Sequence, residues 1–87
     1  MYKSIGMPEF YQEAKRHQLP IIDVREIDEY EAGHVPNAKN LPLSTLGETF
    51  DTLEKEQEYY IICQSGGRSA QAAEFLSQQG YDVTNVM

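Results

Sequence analysis

The sequence predicts an α/β fold with a mostly parallel sheet, on the strength of three observations. Short apolar runs alternate with stretches of helical spacing along the chain. The run Tyr59-Tyr60-Ile61-Ile62 is uncharged and rich in aromatic and β-branched residues, as a strand buried on both faces requires. It is followed, after a short polar loop, by good helix formers from Arg68 to Gln79 and then Gly80, where a C′ glycine stops a helix.

Taken in order, Ser4-Ile5 reads as a short first strand. Met7-Pro8-Glu9 reads as a helix start, with proline at N1 and an acid in the first turn. Phe10, Ala14 and His17 are expected on the inner face of that helix, and Pro20 to break it. Ile21-Ile22-Asp23-Val24 is a second buried strand ending in a carboxylate. Glu26 to Ala32 predicts a short acidic helix with Ile27 and Tyr30 facing inward and Gly33 stopping it, and His34-Val35-Pro36-Asn37 a turn. Ala38 to Leu41 gives a third strand, ended by Pro42. Ser44 to Glu58 gives one or two short helices with Leu46, Phe50 and Leu53 inward. Asp82 to Met87 has strand character again.

The 87 residues imply one domain, 1–87, which buries roughly 60–65% of its unfolded surface. There is no charged-then-apolar leader and no apolar stretch near the roughly 18 residues of a membrane span, so a soluble protein is expected. One cysteine cannot make an internal disulfide, which favours the cytoplasm. A net charge of −7 argues against nucleic acid or an anionic membrane surface as partner. Two histidines and one cysteine make no recognised metal spacing, and nothing calls for a cofactor.

The chemistry concentrates at that one cysteine. Cys63 stands at the carboxyl end of a strand and is followed by Gln64-Ser65-Gly66-Gly67-Arg68-Ser69 and a helix. Ligands collect at such strand ends, where a helix N-terminus offers unpaired N–H groups and the positive end of its dipole. A ring of backbone N–H groups lowers a cysteine pKa and makes a thiolate nucleophile. Gly66 and Gly67 can take backbone angles closed to other residues and let N–H groups approach an anion. Arg68 adds a positive charge and a planar donor fork. Ser65 and Ser69 are candidate hydroxyl donors, with Ser69 equally able to steady the first helical turn. Asp23 and Arg25 read as a structural ion pair, and His34 as a residue that bonds the last carbonyls of the preceding helix.

Three blocks in this chain together resemble the single-domain rhodaneses, a sulfurtransferase family: Asp23-Val24-Arg25-Glu26, Glu31 to Pro42, and Cys63 to Ser69. The resemblance implies a three-layer sandwich with a parallel five-stranded sheet of order 1-5-4-2-3 and an active loop after the fourth strand. It implies that Cys63 accepts a sulfane sulfur as a persulfide held by the N–H groups of Gln64 to Arg68, with the Asp23-x-Arg25 element structural and close by. The expected donor is thiosulfate or a persulfide-bearing protein, and the expected acceptor a thiol or another protein. Two departures stand out. Asn37 replaces a turn glycine and tolerates the same left-handed geometry. The final helix of the family, which bears a tryptophan, has no counterpart before Met87, and the chain contains no Trp. Part of one sheet face is therefore expected to lie open, either in a shortened chain or beneath a partner, of which a second copy of the chain is one candidate.

Two rival readings stay open. A cysteine phosphatase or arsenate reductase would separate cysteine and arginine by five residues, whereas four separate Cys63 from Arg68, a loop better sized for one sulfur than for a tetrahedral oxyanion. A noncatalytic or persulfide-carrying interaction module would keep the fold and dock a specific protein.

Overall fold

The three interior strands of the sheet are also its most buried: β2 (Ile21–Asp23), β4 (Glu58–Ile62) and β5 (Asp82–Val86). The edges are β1 (Lys3–Ile5) and β3 (Lys39–Asn40), giving the order β1-β5-β4-β2-β3 with every neighbouring pair parallel. This computed structural model describes residues 2–87. The strand order is the expected one. Parallel neighbours need crossovers, and the helices that supply them cover both faces of the sheet.

Adjacent side chains on β4 take opposite faces, and the two cores follow from that alternation. Ile61 packs with Ile22, Leu46, Leu53, Tyr81 and Val83 beneath α3 (Leu46–Thr49) and α4 (Gly67–Gln78). Helix α4 commits Ala72, Ala73 and Leu76 wholly to this core. Ile62 packs with Phe10, Ile21 and Val86 beneath α1 (Met7–Arg16), with Tyr30 of α2 (Ile27–Ala32) alongside. Phe10 is the one buried residue of α1 and lies against Tyr60, ring centroids 5.9 Å apart. No helix among the described residues is long and apolar enough to cross a membrane.

Several expectations are corrected. Helix α1 ends at Arg16, well before Pro20, and His17 caps it in extended geometry with an exposed side chain. Ile27 does not face inward: it opens the six-residue α2 and is 58% exposed, because so short a helix turns only Tyr30 onto the sheet. The short helices expected in 44–58 are present: α3 is a single turn that runs on directly from a 3-10 turn at Leu43–Thr45 and into another at Phe50–Thr52. Leu46 and Leu53 are buried, and Phe50 meets Phe75 edge to face at 5.2 Å. Asn37 does adopt left-handed geometry, φ 71°.

The sheet face on the α1 side divides in two. Its carboxyl half is apolar and roofed by α1 and α2. Its amino half carries Lys3, Glu58 and Asp82 on adjacent strands, with Lys3 Nζ 2.8 Å from Glu58 and 3.7 Å from Asp82, over a buried Thr84. The amino half of this face is thus charged where the carboxyl half is apolar.

Register places the site. Ile22 pairs with Ile61 and Asp23 with Ile62, so the carboxyl ends of β2 and β4 are level, and the N–H of Val24 donates to the Ile62 carbonyl at 3.1 Å. Arg25, just past the end of β2, and Cys63, just past the end of β4, therefore open onto the same edge of the sheet.

Candidate active site at the carboxyl end of the sheet

Cys63 leaves β4 and the chain turns back under its own sulfur. The turn is made by Gly66, the residue before α4, in left-handed geometry with φ 88°. That conformation aims two backbone donors at the thiol: the N–H of Gly66 lies 3.0 Å from Sγ and that of Ser69 lies 3.3 Å away. The Sγ–Ser69 Oγ separation is 3.4 Å, with Ser69 fully buried. Burial pushes the thiol pKa up, but the Ser69 hydroxyl and the N–H groups of Ser69, Ser65 and Gly66 outweigh it and hold the thiol below its ordinary value. At 9% exposure, Cys63 is reached from the cleft and not from the open surface.

The two glycines differ. Gly66 needs to be glycine: its backbone is left-handed, and a Cβ there would sit 3.4 Å from the Met87 Cα. Gly67 has no positive φ, and a Cβ on it meets nothing within 4 Å. The backbone freedom expected of both belongs to one.

Arg68 opens away from the sulfur into a fork on Glu29, with Nη1 to Oε1 at 2.6 Å and Nη2 to Oε2 at 3.0 Å. This bidentate pair spans 39 residues and ties α4 to α2. Glu29 Oε1 also accepts the backbone N–H of Glu26 at 3.0 Å, closing a capping box at the start of α2. Arg68, then the Glu26 amide, hold the Glu29 carboxyl down to about 2. Sequence reasoning does not single out Glu29. The signal it offers is an acid three residues after Glu26, within a stretch that reads as a solvated acidic face.

Asp23 and Arg25 form the pair expected of them. The fully buried Asp23 carboxylate accepts the Arg25 backbone N–H at 3.0 Å and its guanidinium at 2.9–3.1 Å. Arg25 Nη2 then donates to the Gly33 carbonyl at 2.7 Å. Asn40 completes the clamp, its Nδ2 donating to the carbonyls of Asp23 and Arg25, each at 2.9 Å. His34 lies flat on the Tyr30 ring, 3.7 Å between centroids, with Nδ1 2.8 Å from the Tyr30 carbonyl in the last turn of α2. The Tyr30 hydroxyl donates to the Ala38 carbonyl. Gln64 and Ser65 are exposed on the outer side of the loop.

Cys63 and Ile62 form the floor of a cleft of about 460 Å³, walled by Met7, Phe10 and Tyr11 of α1 and by the turn 33–36. Asp23, Arg25 and His34 reach it, while Arg68 does not line it. A thiol therefore stands at the bottom of the hollow, and the groups that touch its sulfur are uncharged.

The family model of the rhodanese-like domain matches residues 7–87. The chain belongs to this family. Among proteins similar to this rhodanese-like domain, the Bacillus subtilis (strain 168) protein named "Putative sulfur carrier protein YrkF" is 44% identical over 70 residues, 79% of this chain; the chain spans only 38% of that relative's length. Thiosulfate sulfurtransferase GlpE of Coxiella burnetii (strain RSA 331 / Henzerling II) is 35% identical over 81 residues, covering 93% of this chain and 76% of that one. The crystal structure of a rhodanese-related protein from Thermoplasma volcanium superposes with a TM-score of 0.88 at 40% identity, over 98% of this chain and 83% of that one.

Proposed function

We propose that this rhodanese-like domain is a sulfurtransferase that carries a sulfane sulfur on Cys63 between a thiosulfate or persulfide donor and a thiophilic acceptor. The observation that carries the reading is the convergence of the Gly66 and Ser69 N–H groups on Sγ at 3.0 and 3.3 Å, at the floor of a cleft. Relatives named for sulfur transfer and sulfur carriage support it.

The chemistry is a double displacement. Ionised Sγ attacks the outer sulfur of the donor; the donor's S–S bond breaks, its electron pair leaves with sulfite or with a thiolate, and a Cys63 persulfide forms. The acceptor's nucleophile then attacks the terminal sulfur, and Sγ departs as thiolate. The pair of displacements has no net oxidation. The first N–H groups of α4, those of Gly67 and Arg68, have no carbonyl partner within the helix and point towards its N-terminal end, on the side of Cys63, where they would be available to a sulfur added to Sγ. With no second cysteine in the chain, the persulfide cannot collapse into an internal disulfide, so delivery is outward. A carrier that docks one acceptor protein would use the same first displacement.

Incubation with thiosulfate, and separately with an organic persulfide, followed by intact mass measurement should show the gain of one sulfur atom. The gain should be absent in Cys63→Ser. No gain with either donor, or a gain that survives the substitution, defeats the reading.

A further inference from the structure

We propose that Glu29 determines donor specificity: by pairing with Arg68 it cancels the active loop's one cation and turns the site from dianionic donors towards persulfides with an uncharged body. The inference rests on the sulfur-transfer reading above and concerns which donors that site accepts.

The geometry leaves little room for Arg68 to do otherwise. Both ends of its fork are engaged, at 2.6 and 3.0 Å, by both oxygens of Glu29. Glu29 is itself anchored, because one of those oxygens caps the Glu26 amide at 3.0 Å. Glu26 is anchored in turn by the Ser44 hydroxyl at 2.7 Å. Swinging Arg68 onto a bound anion would uncouple α4 from α2 and leave the Glu29 carboxylate without its counter-ion. The other guanidinium at the site is no freer: Arg25 is spent on Asp23 and on the Gly33 carbonyl. Asp23, Arg25, Glu29 and Arg68 therefore sum to zero charge beside the nucleophile, and Glu26 adds a further negative charge. The donors that do touch Sγ are dipoles.

A dianion entering such a site exchanges full hydration for dipoles and an apolar wall, inside a chain of net charge −7. A small organic persulfide brings no fixed charge on its body, and that body suits the wall of Met7, Phe10 and Tyr11.

The test compares kcat/KM for thiosulfate and for 2-hydroxyethyl persulfide in the wild-type protein and in Glu29→Gln. Glutamine keeps an oxygen for the Glu26 amide, as capping boxes accept Glu or Gln, and removes the charge together with one of the two acceptors that hold the Arg68 fork. The thiosulfate-to-persulfide ratio should rise about tenfold, the effect of one uncovered charge near the reacting sulfur. The pH profile of Cys63 alkylation should move to lower pH, whereas loosening of the loop would move it up. Arg68→Gln should lower the ratio, and the double variant Glu29→Gln/Arg68→Gln should bring it back to the wild-type value; this pair decides the matter even if Glu29→Gln alone does not fold. An unmoved ratio in Glu29→Gln, or a double variant as poor towards thiosulfate as Arg68→Gln, overturns the proposal. If wild-type protein loads neither donor on Cys63, the sulfur-transfer reading falls and takes this one with it; if it loads them and the ratios fail, only this one falls.

Discussion

Around Cys63 two sets of polar groups meet that are built from different interactions. The inner set, the N–H groups of Gly66 and Ser69 and the Ser69 hydroxyl, is uncharged and points at the sulfur. The outer set, Asp23 with Arg25 and Glu29 with Arg68, is charged and closed on itself. The inner set lowers the pKa of the thiol, and the outer one ties together the segments that carry it. A charge used as a brace cannot also be used as a ligand without cost, and this site has assigned its two arginines, Arg25 and Arg68, to bracing.

The largest effect is expected at the buried member of the outer set. Asp23→Ala empties a fully buried position, strips the partly buried Arg25 guanidinium of its counter-ion and the Arg25 amide of its acceptor, and should cost about 3 kcal/mol, read from urea denaturation. Loss under about 1 kcal/mol would mean that the clamp is not what joins β2 to the turn at Gly33.

The loop that carries the inner set contains two neighbouring glycines that should respond differently. Gly66→Ala puts a side chain on a left-handed residue and should lose about 1–2 kcal/mol while moving the Cys63 alkylation profile to higher pH, since the N–H aimed at Sγ moves away. Gly67→Ala occupies open space at the start of α4 and should be neutral or stabilising by up to about 0.5 kcal/mol. Equal losses at both positions would refute the assignment of the turn to Gly66.

The smallest effect belongs to the less buried brace, Glu29 with Arg68, and is a matter of pH. The folded-state pKa of Glu29 is depressed from 4.5 to about 2. Its contribution to stability is therefore present above about pH 4.5 and lost as the pH falls towards 2. The melting-temperature difference between wild type and Glu29→Gln should shrink across that window and be flat from pH 5 to 7. A difference that persists at pH 2 would show that the tie does not depend on the ionised carboxylate.

Much of the architecture was legible in the residues because it depends on local signals. The uncharged run Tyr59 to Ile62 could only be an interior strand, Pro8 and Glu9 marked the start of α1, and Gly80 the end of α4. The loop that folds around the candidate thiol was legible too, from the spacing of Cys63 to Ser69, as was the ion pair, from Asp23-x-Arg25. Information that depends on tertiary placement was not. Ile27 and Tyr30 share helical spacing, yet only Tyr30 is packed, because six residues of helix lie against the sheet along one line. Gly66 and Gly67 are adjacent and identical in sequence, and only the path of the chain back over Met87 tells them apart. The partner of Arg68 lay 39 residues away among four acids between Glu26 and Glu31, with nothing local to single out Glu29.

Dissolved salt acts differently on the two kinds of support. An anion neutralised by arginine draws part of its stability from a field that dissolved ions weaken. An anion held by backbone dipoles at 3.0 and 3.3 Å depends on contacts shorter than the Debye length by more than half at any ordinary salinity. The ionisation of Cys63 is thus tied to the shape of a short stretch of backbone, and the ionic strength of the surroundings has little hold on it.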